Sequence, residues 1–156
     1  MLYRKRVSNE QALQKLRQYC GYQERCHQDV AEKLFSLGIR SPEQGPIIAT
    51  LIEENYLDEE RFAIAFAGGK FRIKKWGRIK IRHELRQRLV SDYCIKKALQ
   101  QIDEDEYLAT LKKLLIERME SLGPAPPIQL QKKTVDFLVG KGFEMELILT
   151  ILNKPR

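Results

Sequence analysis

The sequence predicts an all-α chain, an elongated tandem array of three three-helix units. Three observations carry this. Apolar residues return at three- and four-residue spacing almost throughout. No stretch alternates with a period of two, so strands are not expected. One helical pattern recurs twice: Val30-Ala31-Glu32-Lys33-Leu34, Ile81-Arg82-His83-Glu84-Leu85 and Thr134-Val135-Asp136-Phe137-Leu138 align at offsets of 51 and 53 residues, each followed five residues after its leucine by Ile39, Val90 or Phe143. A period near 50 with three helices per repeat is the mark of a helical array.

The first unit, 8–57, opens with the stripe Leu13, Leu16, Tyr19 and Cys20. Its second helix carries Val30, Leu34 and Leu37 and ends near Gly38. Its third carries Ile47, Ile48, Leu51 and Ile52. Pro46 would lie too deep in a helix begun at Ser41, so the third helix is expected to start at Pro46 after a turn at Ser41-Pro42. The second unit, 58–102, starts at an Asp58 N-cap, with Glu59 and Glu60 placed to suit the helix dipole. Phe62, Phe66 and Ile73 are expected on one face. Gly77 breaks the chain, Ile81, Leu85 and Leu89 form the next stripe, and Ser91 or Asp92 caps a helix with Ile95, Ala98, Leu99 and Ile102.

The third unit, 103–154, opens at the acidic run Asp103-Glu104-Asp105-Glu106, followed by Leu108, Leu111, Leu114 and Leu115. Gly123-Pro124-Ala125-Pro126-Pro127 interrupts it. Leu130, Thr134 and Leu138 form the next helix, which ends near Gly140–Gly142, and Leu147, Ile148, Ile151 and Leu152 form the last. A unit of about 50 residues buries only a small core, so neighbours are expected to lean on one another.

A hydrophobic content of 43% supplies those cores, and 31% charged residues supplies a solvated surface, so the 156-residue chain does not read as disordered. No apolar run approaches the ~20 residues that cross a bilayer. The basic start Met1-Leu2-Tyr3-Arg4-Lys5-Arg6 leads into Ser8-Asn9-Glu10-Gln11 and not into an apolar stretch, which argues against a secretory signal and for a cytoplasmic protein. Cys20, Cys26 and Cys94 fit no disulfide framework, and Cys20, Cys26 and His27 match no zinc spacing. His83 has no partnered nucleophile. Gly69-Lys70 is not a phosphate loop, because Ile64 and Phe71 stand where the upstream glycine and the following Ser/Thr belong. The reading is a non-enzymatic monomer with no cofactor and no metal.

The net charge of +7 is concentrated. Residues 68–90 hold nine cations, Lys70, Arg72, Lys74, Lys75, Arg78, Lys80, Arg82, Arg86 and Arg88, against the single acid Glu84. That segment therefore carries +8 and the remainder about −1. On a helix over 78–89, the buried stripe of Ile81, Leu85 and Leu89 is flanked by a stripe of Arg78, Arg82 and Arg86. Glu84 lies four residues from both Lys80 and Arg88 and is placed to neutralise them, whereas the arginine stripe has no such acid within its helix. Lys70, Lys74 and Lys75 come from the preceding helix, interleaved with Phe71 and Trp76. Trp76 and Gly77 read as a packed aromatic and a chain reversal. Such a surface suits a polyanion, single-stranded or duplex DNA, or an acidic protein groove; charge by itself leaves these open.

The run Tyr56-Leu57-Asp58-Glu59-Glu60-Arg61-Phe62-Ala63, then Phe66, then Gly77-Arg78-Ile79-Lys80-Ile81 and Glu84-Leu85, resembles the hallmark of the RecX family. The resemblance runs from about Leu13 to Leu152. Many members begin the second helix of the first unit with Ser-x-x-Glu-Leu; here Cys26-His27-Gln28-Asp29-Val30 stands instead. It implies a protein that binds the RecA recombinase, lies in the groove of the RecA–single-stranded-DNA filament, and inhibits its growth, ATP hydrolysis, strand exchange and stimulation of repressor self-cleavage. The nine cations are then the candidate partner- and DNA-binding residues, with Lys70, Lys74, Arg78, Arg82 and Arg86 near acidic RecA surface or the filament's DNA and Glu59, Glu60 and Arg61 structural. The alternative is a general nucleic-acid-binding protein acting without RecA.

Overall fold

The computed structural model describes residues 7–154; the basic start at 1–6 lies outside the described residues. Among those described, helices account for all regular structure: α1 (Asn9–Tyr22), α2 (His27–Ser36), α3 (Ser41–Glu53), α4 (Glu59–Lys74), α5 (Arg78–Gln87), α6 (Asp92–Gln100), α7 (Glu104–Leu122), α8 (Pro127–Gly140) and α9 (Met145–Leu152). The closest helix pairs fall within α1–α3, α4–α6 and α7–α9.

The helix starts follow side-chain chemistry. Ser8, Asp58, Ser91 and Asp103 each accept a bond from the backbone N–H three residues on. At α2 the Cys26 Sγ accepts from Asp29 N at 3.4 Å, and the Asp29 carboxylate accepts from Cys26 N at 3.1 Å. A capping box thus survives the replacement of Ser and Glu by Cys and Asp.

The repeat appears as one motif used three times. Val30, Leu34 and Ile39; Ile81, Leu85 and Val90; Thr134, Leu138 and Phe143 are all buried. In each unit the middle helix closes with the same bond, Ile39 N to Leu34 O, Val90 N to Leu85 O and Phe143 N to Leu138 O, at 3.0–3.1 Å. That bond needs a left-handed residue just before it: Gly38 (φ 83°), Leu89 (φ 60°) and Gly142 (φ 97°). Thr134, the polar member of the set, donates its hydroxyl to Leu130 O at 2.8 Å.

Three expectations are corrected. The third helix starts at Ser41 and contains Pro46. Pro46 removes only the bond to the exposed Pro42 carbonyl, while Glu43 N to Arg40 O and Gln44 Nε2 to Ile39 O, both 2.9 Å, hold the first turn. Leu89 is not in a buried stripe but 80% exposed, because α5 has ended and Val90 turns inward in its place. Ile73 is 79% exposed: the buried face of α4 is Phe62, Ala63, Ala67 and Phe71, where two alanines let α6 approach closely.

The units lean on one another unequally. The second and third share one core, in which Tyr107 stacks between Phe71 (5.6 Å) and Phe143 (5.3 Å). Their backbones also pair, Gly77 N donating to Lys141 O (2.8 Å) and Ile79 N to Gly142 O (3.0 Å). The first unit keeps its own core of residues such as Leu16, Leu34 and Leu51. It meets the second through Cys26, which enters the shared core, and through Arg61, which pairs with Glu24 at 2.6 Å and holds Asn55 by two 3.0 Å bonds.

Candidate partner-binding surface

The basic segment is split between two helices by one reversal. Lys75 adopts the left-handed conformation (φ 58°) and ends α4, with Lys75 N bonding Phe71 O and Trp76 N bonding Lys70 O. Extended Gly77 then begins α5. The turn sends the cations to two different faces.

The first face is built on an aromatic pair. Phe66 and Trp76 meet edge-on with centroids 6.5 Å apart. Lys70 Nζ lies 5.4 Å from the Phe66 ring and 5.0 Å from Trp76, Lys80 Nζ 4.6 Å from Trp76, and Arg88 4.7 Å from Phe66. Each such contact contributes roughly 0.5–1 kcal/mol at an exposed site. Phe71, expected among these cations, is turned into the core instead, and Phe66 takes its place. Glu84 neutralises Arg88 at 3.1 Å but not Lys80, whose ammonium is drawn to Trp76. A groove of ≈ 480 Å³ runs alongside, with Lys70, Lys74 and Arg88 on one wall and Glu24 and Arg25 of the first unit on the other. Lys75 points to solvent, and Arg72 folds back over Gly68, where an added Cβ would meet its guanidinium at 2.5 Å.

The second face is a groove of ≈ 690 Å³ between α5 and α6, lined by Arg78, Arg82 and Arg86 and, unforeseen, Lys96. Here the arginine stripe does have acids, supplied from outside α5. Arg78 pairs with Glu104 at 2.7 Å and Glu144 at 3.5 Å, and its guanidinium lies 3.8 Å over Tyr107. Arg86 reaches Asp92 at 3.3 Å, an exposed and therefore weak pair. Arg82 alone of the three makes no hydrogen bond or ion pair among the described residues.

Arg78, partly buried on the wall of this groove, thus also fastens the units together. Its backbone N–H donates to the Tyr107 hydroxyl at 3.0 Å, and that hydroxyl donates in turn to Glu144. Burial, followed by this bond to Glu144, pushes the Tyr107 hydroxyl well above its ordinary range, so it stays protonated and can donate. Helical spacing could not reveal Glu104, Glu144 or Lys96, since all three arrive by tertiary packing. Among the described residues no group of His, Cys, Asp and Glu assembles that could hold a metal, and no helix is long and apolar enough to cross a membrane.

Comparison with known proteins shows the family and the fold. Family models for the second and third three-helix domains of RecX match residues 58–99 and 104–152. A regulatory protein RecX of Chlorobaculum tepidum is 32% identical over 120 residues, covering 77% of this chain and 72% of its own length. That of Lactobacillus johnsonii is 29% identical over 144 residues, 92% of this chain. The chain spans about half the length of that relative, 53%. Two solved structures share the fold, each with a TM-score of 0.84: a regulatory protein RecX at 20% identity, covering 99% of this chain and 82% of that one, and RecX from Lactobacillus salivarius at 22%, covering 92% and 94%. With Asp58 of the hallmark run capping α4, Gly77-Arg78 fastening two units, and these family models and relatives matched, the chain belongs to the RecX family.

Proposed function

We propose that this chain is a regulator that binds RecA and the RecA–single-stranded-DNA filament and inhibits its ATPase, strand-exchange and coprotease activities. Family membership points to RecA. The observation that carries the reading is the placement of cations on two outward faces of the middle unit, Lys70, Lys74, Lys80 and Arg88 on one and Arg82 and Arg86 on the other. A filament groove offers phosphate and acidic protein surface together, which suits a surface with two basic faces. Arg72 and Lys75 add exposed charge, while Arg78 contributes by fixing the angle between units. We take the units as 8–57, 58–102 and 103–154 and the protein as a cytoplasmic monomer acting without a catalytic site.

The test is single-stranded-DNA-dependent ATP hydrolysis by RecA at substoichiometric amounts of this protein. Inhibition is expected, with Lys70→Glu/Lys74→Glu and Arg82→Glu/Arg86→Glu each weakening it by about tenfold or more, as loss of several phosphate or carboxylate contacts requires. Absence of inhibition with binding to naked DNA retained would establish the other reading, a nucleic-acid-binding protein independent of RecA.

A further inference from the structure

The third unit departs from the second at one helix pair. In the second unit α4 and α6 form the closest helix pair among the described residues, with Ala63, Ala67, Cys94 and Ala98 buried in their shared core. Setting the N-caps Asp58 and Asp103 in register, and likewise Ser91 and Glu144, puts Leu108, Lys112, Leu147 and Ile151 at those positions. Bulk replaces smallness at every one. Helices α7 and α9 accordingly pack much less intimately than α4 and α6. The gap is a groove of ≈ 530 Å³, lined by Leu108, Leu115, Ile116, Met119, Leu147 and Ile151 and flanked by Lys112 and Lys154. Ile116, at the position of the buried Phe71, is 44% exposed.

We infer that the α7–α9 groove is a docking site for an acidic-flanked amphipathic helix of another protein, separate from the basic faces of the middle unit. Its volume falls in the ~300–1,000 Å³ range of binding clefts. Its floor is aliphatic with one methionine, the composition of grooves that accept the apolar face of a helix. Its rim decides the partner. Lys112 and Lys154 flank the floor and Lys113 lies beside them, partly offset by Glu117 at 4.0 Å. A second copy of this chain would bring lysines against lysines, whereas a helix with Glu or Asp beside its leucines meets both floor and rim.

The test uses the full chain with isotope-labelled Ile, Leu and Met methyl groups and two short amphipathic helical peptides that share one leucine pattern. One peptide carries Glu beside the leucines, the other Lys. The Glu peptide is expected to shift the Ile116, Met119 and Ile151 methyls and to bind about tenfold tighter than the Lys peptide, as two or three rim charges allow. Ile116→Asp should abolish the binding. Lys112→Glu, a change at an exposed site that leaves the floor intact, should remove most of the preference. No methyl shift with either peptide, equal or reversed affinities, or self-association that Ile116→Asp dissolves would each overturn the inference.

Discussion

Replacing Gly77 by Ala tests the fastening between the second and third units most directly. Gly77 has φ −79° and ψ 169°, extended backbone that alanine adopts freely, so no conformational strain enters. In the absence of a clash the gain of about 0.4–1 kcal/mol through the unfolded chain would be offset by the poorer N-cap that alanine makes for α5, leaving the change near neutral. The added Cβ, however, would sit 2.4 Å from Gly142 C, Gly142 O and Phe143 N, all main-chain atoms that cannot rotate aside. The two units must separate by about an ångström to reach ordinary contact. That separation breaks or lengthens Gly77 N to Lys141 O, Ile79 N to Gly142 O and Arg78 N to the Tyr107 hydroxyl. At about 1 kcal/mol for each of the three bonds, the expected loss is about 3 kcal/mol. Urea denaturation measures it, and hydrogen exchange locates it: the Gly77 and Ile79 amides should lose protection while those in the core of the first unit keep theirs. Gly69→Ala, at a site in α4 with nothing within 4 Å, is the control and should gain about 0.5–1 kcal/mol. A Gly77→Ala protein as stable as the parent, with those two amides still protected, would refute the fastening.

Two further outcomes follow from the same geometry. Leu89 holds a left-handed backbone where the sister units have glycine, and its side chain is 80% exposed, so Leu89→Gly should raise stability by about 0.5–1 kcal/mol in the same urea titration; a loss would mean that the side chain packs in a way its exposure denies. Burial pushes the Glu59 carboxyl up, but hydrogen bonds from the Ser91 backbone and side chain outweigh this and hold it below its ordinary value of 4.5. A depressed folded-state value means stability that is present above that ordinary value and lost as pH falls through the folded one, so Glu59→Gln should flatten the acid limb of the stability–pH curve. An unchanged acid limb would remove Glu59 from that role.

The sequence by itself determined whatever depends on near neighbours in the chain. Helix type, caps and the repeat follow from spacing, because a helix turns every 3.6 residues and a cap reaches three residues on. Thus Val30, Ile81 and Thr134 proved to be equivalent buried positions, Asp58 a cap, and Gly77 a break. Even Leu89 was legible in principle, since it stands in register with Gly38 and Gly142. Tertiary structure decided what depends on which helices meet. The arginine stripe looked free of acids because Glu104 and Glu144 lie 26 and 66 residues from Arg78 in sequence and reach it only when the units dock. Phe71 and Phe66 exchanged roles because the alanine face of α4, and not its bulkiest face, is the one α6 can approach. The basic segment was visible as a total charge. Its division into two outward faces, with Arg78 bolting the units together at the edge of one of them, was set by a left-handed Lys75 and by a glycine bare enough for two backbones to touch.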